Sequence, residues 1–172
     1  KFEHCDVLVI GSGPSGLASA LAAAKNGARV ILAEDKSQFG GSLLTDQVTI
    51  GNKTGKEWAD ETIEQLKSMP NVVVKNRSQV FGYYDHNMMV MFERTKDHIE
   101  SPSEYIPRQK LWYIRAKEVV VSTGSIERPL VFGNNDRPGI LLASAAKEYI
   151  KKYGVLIGKK PIIFTNNDSA YD

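Results

Sequence analysis

The sequence Gly-Ser-Gly-Pro-Ser-Gly at positions 11–16 constrains the fold of this 172-residue chain more than any other segment. It follows an apolar, β-branched run at residues 7–10, which predicts a buried parallel strand. Residues 14–26 predict a helix, because proline is tolerated in a first turn, alanine and leucine dominate, and a glycine follows as a C-cap. A second strand is predicted at residues 29–34, so that the segment forms a right-handed βαβ unit.

The glycines of this segment fit a dinucleotide-binding fingerprint, G-x-G-x-x-G. Gly11 permits a tight turn out of the strand, Gly13 lets the backbone approach a pyrophosphate, and Gly16 allows close packing of helix on strand. The helix N-terminus, with Pro14 and Ser15 in its first turn, offers free N–H groups and a positive dipole end to phosphates. A glycine-rich turn that binds no ligand is the alternative interpretation.

An acidic residue ends the second predicted strand, which is the remaining part of this fingerprint. Glu34 lies 18 residues beyond Gly16, and we expect its carboxylate to accept hydrogen bonds from the adenosine ribose hydroxyls. A carboxylate there repels a 2′-phosphate, which favours NAD or FAD over NADP. Lys36, two residues further on, slightly weakens this discrimination against NADP. Asp35 and Lys36 are included in the predicted cofactor site.

Three further positions are candidates for the same site. Gly41, in a Gly-Gly pair, would let a loop lie against the pyrophosphate or the second ribose, and an ordinary flexible turn is the alternative. Val80 is placed beside the adenine, although a buried strand valine is the commoner interpretation. Thr123 and Gly124 end a buried strand at the carboxyl edge of the sheet, where ligands of open α/β sheets bind, or they form a simple strand-ending turn.

The rest of the chain predicts an α/β fold, a Rossmann-like FAD/NAD(P)-binding domain with an inserted antiparallel β-meander. An amphipathic helix is predicted at 56–69 and another helix at 142–153. Further strands are predicted at 72–74, 79–84, 88–93, 111–114, 118–122 and 160–165. We expect the dinucleotide-binding domain at 1–139, with the meander at about 72–115. Residues 140–172 then begin a second nucleotide-binding-like lobe, whose first turn lacks glycine and should hold no dinucleotide.

Composition excludes several classes of function. Lys and Arg number 22 against 20 Asp and Glu, and they are scattered, so no nucleic-acid partner is expected. The single cysteine, Cys5, placed before the first strand, excludes dithiol–disulfide exchange. His4, His86 and His98 lack metal-ligand spacing and are expected to face solvent, so no metal site is predicted.

The apolar segments and the first residues of the chain also bear on membrane association and on cellular location. No stretch is long enough to span a bilayer, so no membrane partner is expected. The chain opens on Lys-Phe-Glu-His-Cys-Asp, and we expect a piece of a longer cytoplasmic protein.

Several segments resemble the two-dinucleotide-binding-domain flavoprotein superfamily. More particular segments closely resemble the alpha subunits of bacterial heterotetrameric sarcosine oxidases, and this resemblance covers nearly the whole chain. The general segments are 4–11, 40–44 and 122–124, and the particular ones are 127–132, 135–140 and 164–171.

The resemblance implies an enzyme that oxidises sarcosine with oxygen, using FAD and covalent FMN, and passes the one-carbon unit to tetrahydrofolate. It implies that the matching alpha-subunit domain binds NAD, while sarcosine is oxidised at the FAD of a beta subunit. A small N-terminal domain and a folate-binding region are implied outside this chain. We therefore predict no catalytic residue here and no activity of this piece alone. The implied NAD contacts are Gly11, Gly13, Gly16, Glu34, Gly41, Ser42, Val80, Thr123 and Gly124.

Two alternatives stay open at this stage. The first is a flavin domain of a related amino-acid dehydrogenase or opine oxidase subunit, with FAD in the same fingerprint, because the ADP half is common to both cofactors. The second is a non-catalytic assembly scaffold that binds no nucleotide.

Overall fold

The computed structural model describes residues 1–171. Within these residues eight strands and three helices follow one another, with short 3₁₀ turns at Gly41–Leu44, Asp85–Asn87 and Asp168–Ala170. In chain order these elements are β1 (Phe2–Ile10), α1 (Pro14–Lys25), β2 (Val30–Ala33), β3 (Thr49–Ile50), β4 (Lys53–Thr54), α2 (Gly55–Ser68), β5 (Val72–Lys75), β6 (Ser78–Tyr84), β7 (Met88–Arg94), β8 (Gln109–Val121) and α3 (Ala143–Tyr153).

Six strands form one mixed sheet in the order β5-β2-β1-β8-β7-β6. The first four pair in parallel, with Val9 opposite Leu32 on one side and opposite Val120 on the other. The last three form an antiparallel meander, since β7 pairs antiparallel with both β6 and β8. The carboxyl ends of β1, β2 and β8 therefore meet at one edge of the sheet.

Each face of the parallel strands is covered by a different layer. Val9, Val30 and Leu32 pack with the buried residues of α1 and α2, among them Leu17 and Leu66. Their neighbours in sequence point to the opposite face, because side chains alternate along a strand. On that face Leu8 and Ile31 pack against Met89, Met91 and Ile114 of the meander. The parallel sheet is thus buried on both sides, as the near-continuous apolar runs predict.

The predicted α/β class with a parallel sheet, flanking helices and a meander is confirmed, but two strand predictions are wrong in detail. Residues 72–74 were expected within the meander, yet β5 pairs in parallel with β2 at the other edge of the sheet. Residues 111–114 and 118–122 were expected as two strands, yet β8 is continuous. Its Arg115 and Lys117 lie on the exposed side while Ala116 is buried, so the polar residues do not interrupt it.

The strand predicted at 160–165 is not present. Within the described residues no neighbouring strand pairs with this segment, and a strand exists only through its ladder hydrogen bonds. Ile162 is 95% exposed as a result. The preceding helix α3 begins at Ala143, one residue later than predicted. The boundary at 139/140 and the second lobe remain predictions.

Cys5 lies within β1, not before the first strand as predicted. Its side chain is buried, and burial raises the pKa of the thiol to about 11. All three histidines are exposed, as predicted. Among residues 1–171 no group of acidic, histidine and cysteine side chains has the arrangement of a metal site. No helix in the described chain is long and apolar enough to cross a membrane.

Candidate functional site

Two glycines of the fingerprint loop lie where no side chain fits. Gly11 follows β1 directly with a φ of +94°, and a Cβ on it would lie 2.3 Å from the carbonyl oxygen of Ser122, which follows β8. A Cβ on Gly16 would lie 2.0 Å from the carbonyl oxygen of Gly11. Packing therefore requires glycine at these two positions, because the helix, the loop and the strand approach one another at van der Waals distance.

Gly13 has the opposite environment. A Cβ built on this residue has no heavy atom within 4 Å, and the backbone is extended with a φ of −66°. Glycine is not needed here to avoid a clash with any described part of the protein. The free space beside this backbone is of the kind that a closely approaching ligand group would occupy.

The N-terminus of α1 begins at this free space. Gly13 is the N-cap and Pro14 is the first helical residue, followed by the exposed Ser15. Among the described residues no side chain caps this helix end, and its first turn contains no acid. The first amides of a helix lack intrahelical partners and carry the positive end of the helix dipole. This end of α1 is therefore suited to an anionic group such as a phosphate.

The Glu34 carboxylate lies beside the same loop and is 7% exposed. Its Oε2 accepts hydrogen bonds from the Ser12 amide at 2.9 Å and from the Ser12 hydroxyl at 2.6 Å. Its Oε1 accepts from the Lys36 amide at 3.0 Å. Burial by itself raises the pKa of Glu34, but these hydrogen bonds outweigh it and hold the pKa below its usual value. Glu34 is thus a charged, oriented acceptor at neutral pH.

Asp35 and Lys36, the two residues after Glu34, also interact with more distant parts of the chain. Burial and the adjacent Glu34 raise the pKa of Asp35. The Asp35 carbonyl accepts a hydrogen bond from the Arg94 guanidinium. The Lys36 ammonium lies 3.5 Å from the Glu148 carboxylate of α3. Lys36 is thus partly neutralised by Glu148, which reduces its ability to attract a 2′-phosphate.

A second loop lies against the fingerprint loop. The Gly40 amide donates to the carbonyl oxygen of Ser12 at 3.1 Å and to its hydroxyl at 3.2 Å. A Cβ on Gly41, which has a φ of +56°, would lie 2.9 Å from the Cα of Gly13. Ser42 follows in the exposed 3₁₀ turn. Gly13 and Gly41, both predicted cofactor contacts, therefore lie against each other through their backbones.

The remaining predicted residues lie on β6 and after β8. The start of β6 is joined to β2 through the Ser78 amide, which donates to the Glu34 carbonyl at 2.7 Å, and Val80 follows two residues later. Val80 is half-buried against the core beneath the meander. Thr123 lies next to Gly11, whereas Gly124, with a φ of +74°, has open space around its Cα.

The sequence missed one residue that connects the site. Ser12 occupies an unspecified position of the glycine motif, and only the folded chain shows that it joins the fingerprint loop to Glu34 and to the Gly40–Gly41 turn. A groove of about 390 Å³ is lined by Phe39, Lys67, Val72, Val74 and Asn76. None of these residues belongs to the fingerprint site.

The sheet order, the meander and the glycine loop together define a Rossmann-like domain of the FAD/NAD(P)-binding type. Residues 6–80 match the model of the family described as FAD dependent oxidoreductase. L-proline dehydrogenase from P. horikoshii has a similar structure, with a TM-score of 0.72 and 26% identity over 92% of this chain and 31% of that one.

Nearly the whole chain is similar to sarcosine oxidase alpha subunits. It is 49% identical to sarcosine oxidase subunit alpha of Rhizobium meliloti (strain 1021) over 99% of its length. It is 43% identical to the subunit of that name from Corynebacterium sp. (strain P-1) over 98% of its length. These comparisons confirm the resemblance inferred from the sequence. The chain spans only 17% and 18% of the length of these two relatives.

Proposed function

We propose that this chain binds an adenine dinucleotide at the fingerprint loop. One observation carries the proposal: the free space beside Gly13 lies between the uncapped N-terminus of α1 and a loop whose amide and hydroxyl hold the Glu34 carboxylate. A diphosphate would occupy the free space beside Gly13, and a ribose hydroxyl would bind the Glu34 carboxylate. The proposed contacts are Gly11, Gly13, Pro14, Ser15, Gly16, Glu34, Asp35, Lys36, Gly41, Ser42, Val80, Thr123 and Gly124.

NAD is the first candidate for this dinucleotide. The ionised Glu34 disfavours a 2′-phosphate, and Glu148 partly neutralises Lys36, so NAD is preferred to NADP. The resemblance to sarcosine oxidase alpha subunits supports NAD in this domain. FAD is the second candidate, favoured by the match of residues 6–80 to an FAD dependent oxidoreductase family. The two share the ADP half that this site recognises.

The proposed context is an oxidoreductase of the sarcosine oxidase type. The 49% identity to one such alpha subunit supports a role as the nucleotide-binding part of a hetero-oligomeric, flavin-dependent amine oxidase. The proposed partners are a flavin-carrying beta subunit and, elsewhere in the longer chain, tetrahydrofolate. The proposal assigns binding and not catalysis to this chain.

The cofactor is tested with the purified protein. Under this proposal the protein is colourless as isolated, and saturating NAD raises its melting temperature; at 100 times Kd the gain in stability is about 2.7 kcal/mol. The absorption spectrum of a bound flavin in the isolated protein would identify FAD, and not NAD, as the cofactor. If neither NAD, FAD nor ADP changes the melting temperature or gives calorimetric heat, the chain is a scaffold with no nucleotide and the proposal fails.

We predict that Glu34→Ala weakens NAD binding and relaxes the discrimination against NADP. Loss of a hydrogen bond to a charged group costs about 1.5–3 kcal/mol, and removing the carboxylate also removes its repulsion of the 2′-phosphate. Isothermal titration with both nucleotides measures the ratio of the two dissociation constants. Glu64→Ala on the exposed face of α2 is the control. An unchanged NAD/NADP ratio in Glu34→Ala would remove Glu34 from the ribose site.

A further inference from the structure

Helix α3 lies against the domain without burying an apolar side chain. Among residues 1–171 no side chain of this helix is buried, and neither apolar core includes an α3 residue. Its large apolar side chains Tyr149, Ile150 and Tyr153 are exposed, whereas the charged Lys147 and Glu148 are half-buried. The helix is therefore not stabilised by burial in a hydrophobic core.

The N-terminus of α3 is capped by an acid that follows the candidate site in sequence. The Glu127 carboxylate accepts hydrogen bonds from the amides of Ala143 at 3.2 Å and Ser144 at 2.8 Å. These hydrogen bonds, that of Ser144 above all, hold the pKa of Glu127 below its usual value. The charged carboxylate also interacts favourably with the positive end of the helix dipole. Because Glu127 lies three residues after Gly124, the cap ties α3 to the loop that leaves β8.

Two ion pairs join the middle of α3 to the segments that follow β2. The Glu148 carboxylate lies 3.5 Å from the Lys36 ammonium, and Lys152, one turn further along the helix, donates to it at 2.8 Å. The Lys147 ammonium lies 3.7 Å from the carboxylate of Asp46, which follows the first 3₁₀ turn. Partly exposed ion pairs are individually weak. Helix α3 is thus held by weak polar contacts to three segments, each of which carries proposed nucleotide contacts.

We propose that α3 is a strap that joins these three segments, and that its docking is coupled to nucleotide binding. This inference rests on the proposed dinucleotide function and adds a conformational change to it. A helix of 11 residues is too short to be stable alone in water, so α3 unfolds when its polar contacts break. A nucleotide that orders the three segments favours the docked helix. By linkage, the docked helix raises the nucleotide affinity by the same factor.

Hydrogen exchange of the α3 amides, measured in the full-length protein with and without saturating NAD, tests the coupling. Helix α2 is the internal reference, because Ile63 and Leu66 belong to the core and its amides open with the domain. NAD stabilises the folded state, so α2 exchange slows whenever NAD binds. We expect α3 exchange to slow as well, by about fivefold or more. If α2 slows and α3 does not, the strap proposal is wrong; if neither slows, NAD does not bind and the dinucleotide proposal fails for NAD.

Charge reversal of the Lys147–Asp46 pair separates the strap from a simple charge effect. We expect Asp46→Lys and Lys147→Asp each to speed α3 exchange and to weaken NAD binding about fivefold, and the double variant to recover both properties. Asp136→Lys, at an exposed loop position, is the control and should leave the NAD affinity unchanged. The two single variants change the local charge in opposite senses, so opposite changes in NAD affinity would show a charge effect and overturn the proposal. Failure of the double variant to recover would also overturn it.

Discussion

Gly13→Val is expected to eliminate dinucleotide binding while the protein stays folded. The valine side chain would occupy the free space beside the N-terminus of α1, which the diphosphate needs. A Cβ at this position has no heavy atom within 4 Å, so we expect the valine side chain to be accommodated without unfolding the protein. A φ of −66° with extended ψ is also accessible to valine. We expect at least a roughly 100-fold loss of NAD affinity, which corresponds to about 2.7 kcal/mol.

The measurement pairs NAD titration with thermal unfolding of the same sample. Gly133→Val is the matched control, because a Cβ at Gly133 is also free of contacts but lies far along the chain in a loop. Wild-type NAD affinity in Gly13→Val, with an unchanged melting temperature, would place the diphosphate elsewhere. Loss of affinity in both variants would show that the effect is not local.

Gly16→Ala is expected to have the opposite effect and to destabilise the fold itself. The new Cβ would lie 2.0 Å from the Gly11 carbonyl oxygen, which is backbone and has no flexible side chain to move aside. Alanine is normally favoured over glycine in a helix by about 1 kcal/mol, so the steric effect must exceed that gain. We expect a net loss of about 3 kcal/mol, as for other severe overpacking.

Urea and thermal unfolding measure this loss directly. For a chain of this size, 3 kcal/mol corresponds to a fall in melting temperature of about 10 °C. Gly158→Ala, at a position where a Cβ contacts nothing, should change the melting temperature by about 2 °C or less. A Gly16→Ala protein as stable as the wild type would mean that α1 and the loop do not pack as the structure has them.

The βαβ unit was predictable because its determinants are local. Apolar runs, a glycine turn and an alanine-rich helix specify strand, loop and helix within residues 7–34, and the structure places β1, α1 and β2 there. The acid at the end of β2 was predictable for the same reason. Backbone conformation and chain direction are enough to place Glu34 beside the fingerprint loop.

The remaining features depend on which distant segments pair, and local patterns do not carry that information. The run Val72–Lys75 predicts a strand but not its neighbour, so its place beside β2 was missed. The segment 160–165 has strand composition but no partner among residues 1–171, and it stays outside the sheet. Ser12 matters only because the turn after β2 and Gly40 fold onto it.

A crystal of the protein soaked with NAD tests the proposed binding site most directly. We predict that the diphosphate lies beside Gly13 at the N-terminus of α1, with the adenosine ribose within hydrogen-bond distance of the Glu34 carboxylate. Ordered nucleotide at any other place, or a free Gly13 backbone in crystals saturated with NAD, FAD and ADP in turn, would contradict it.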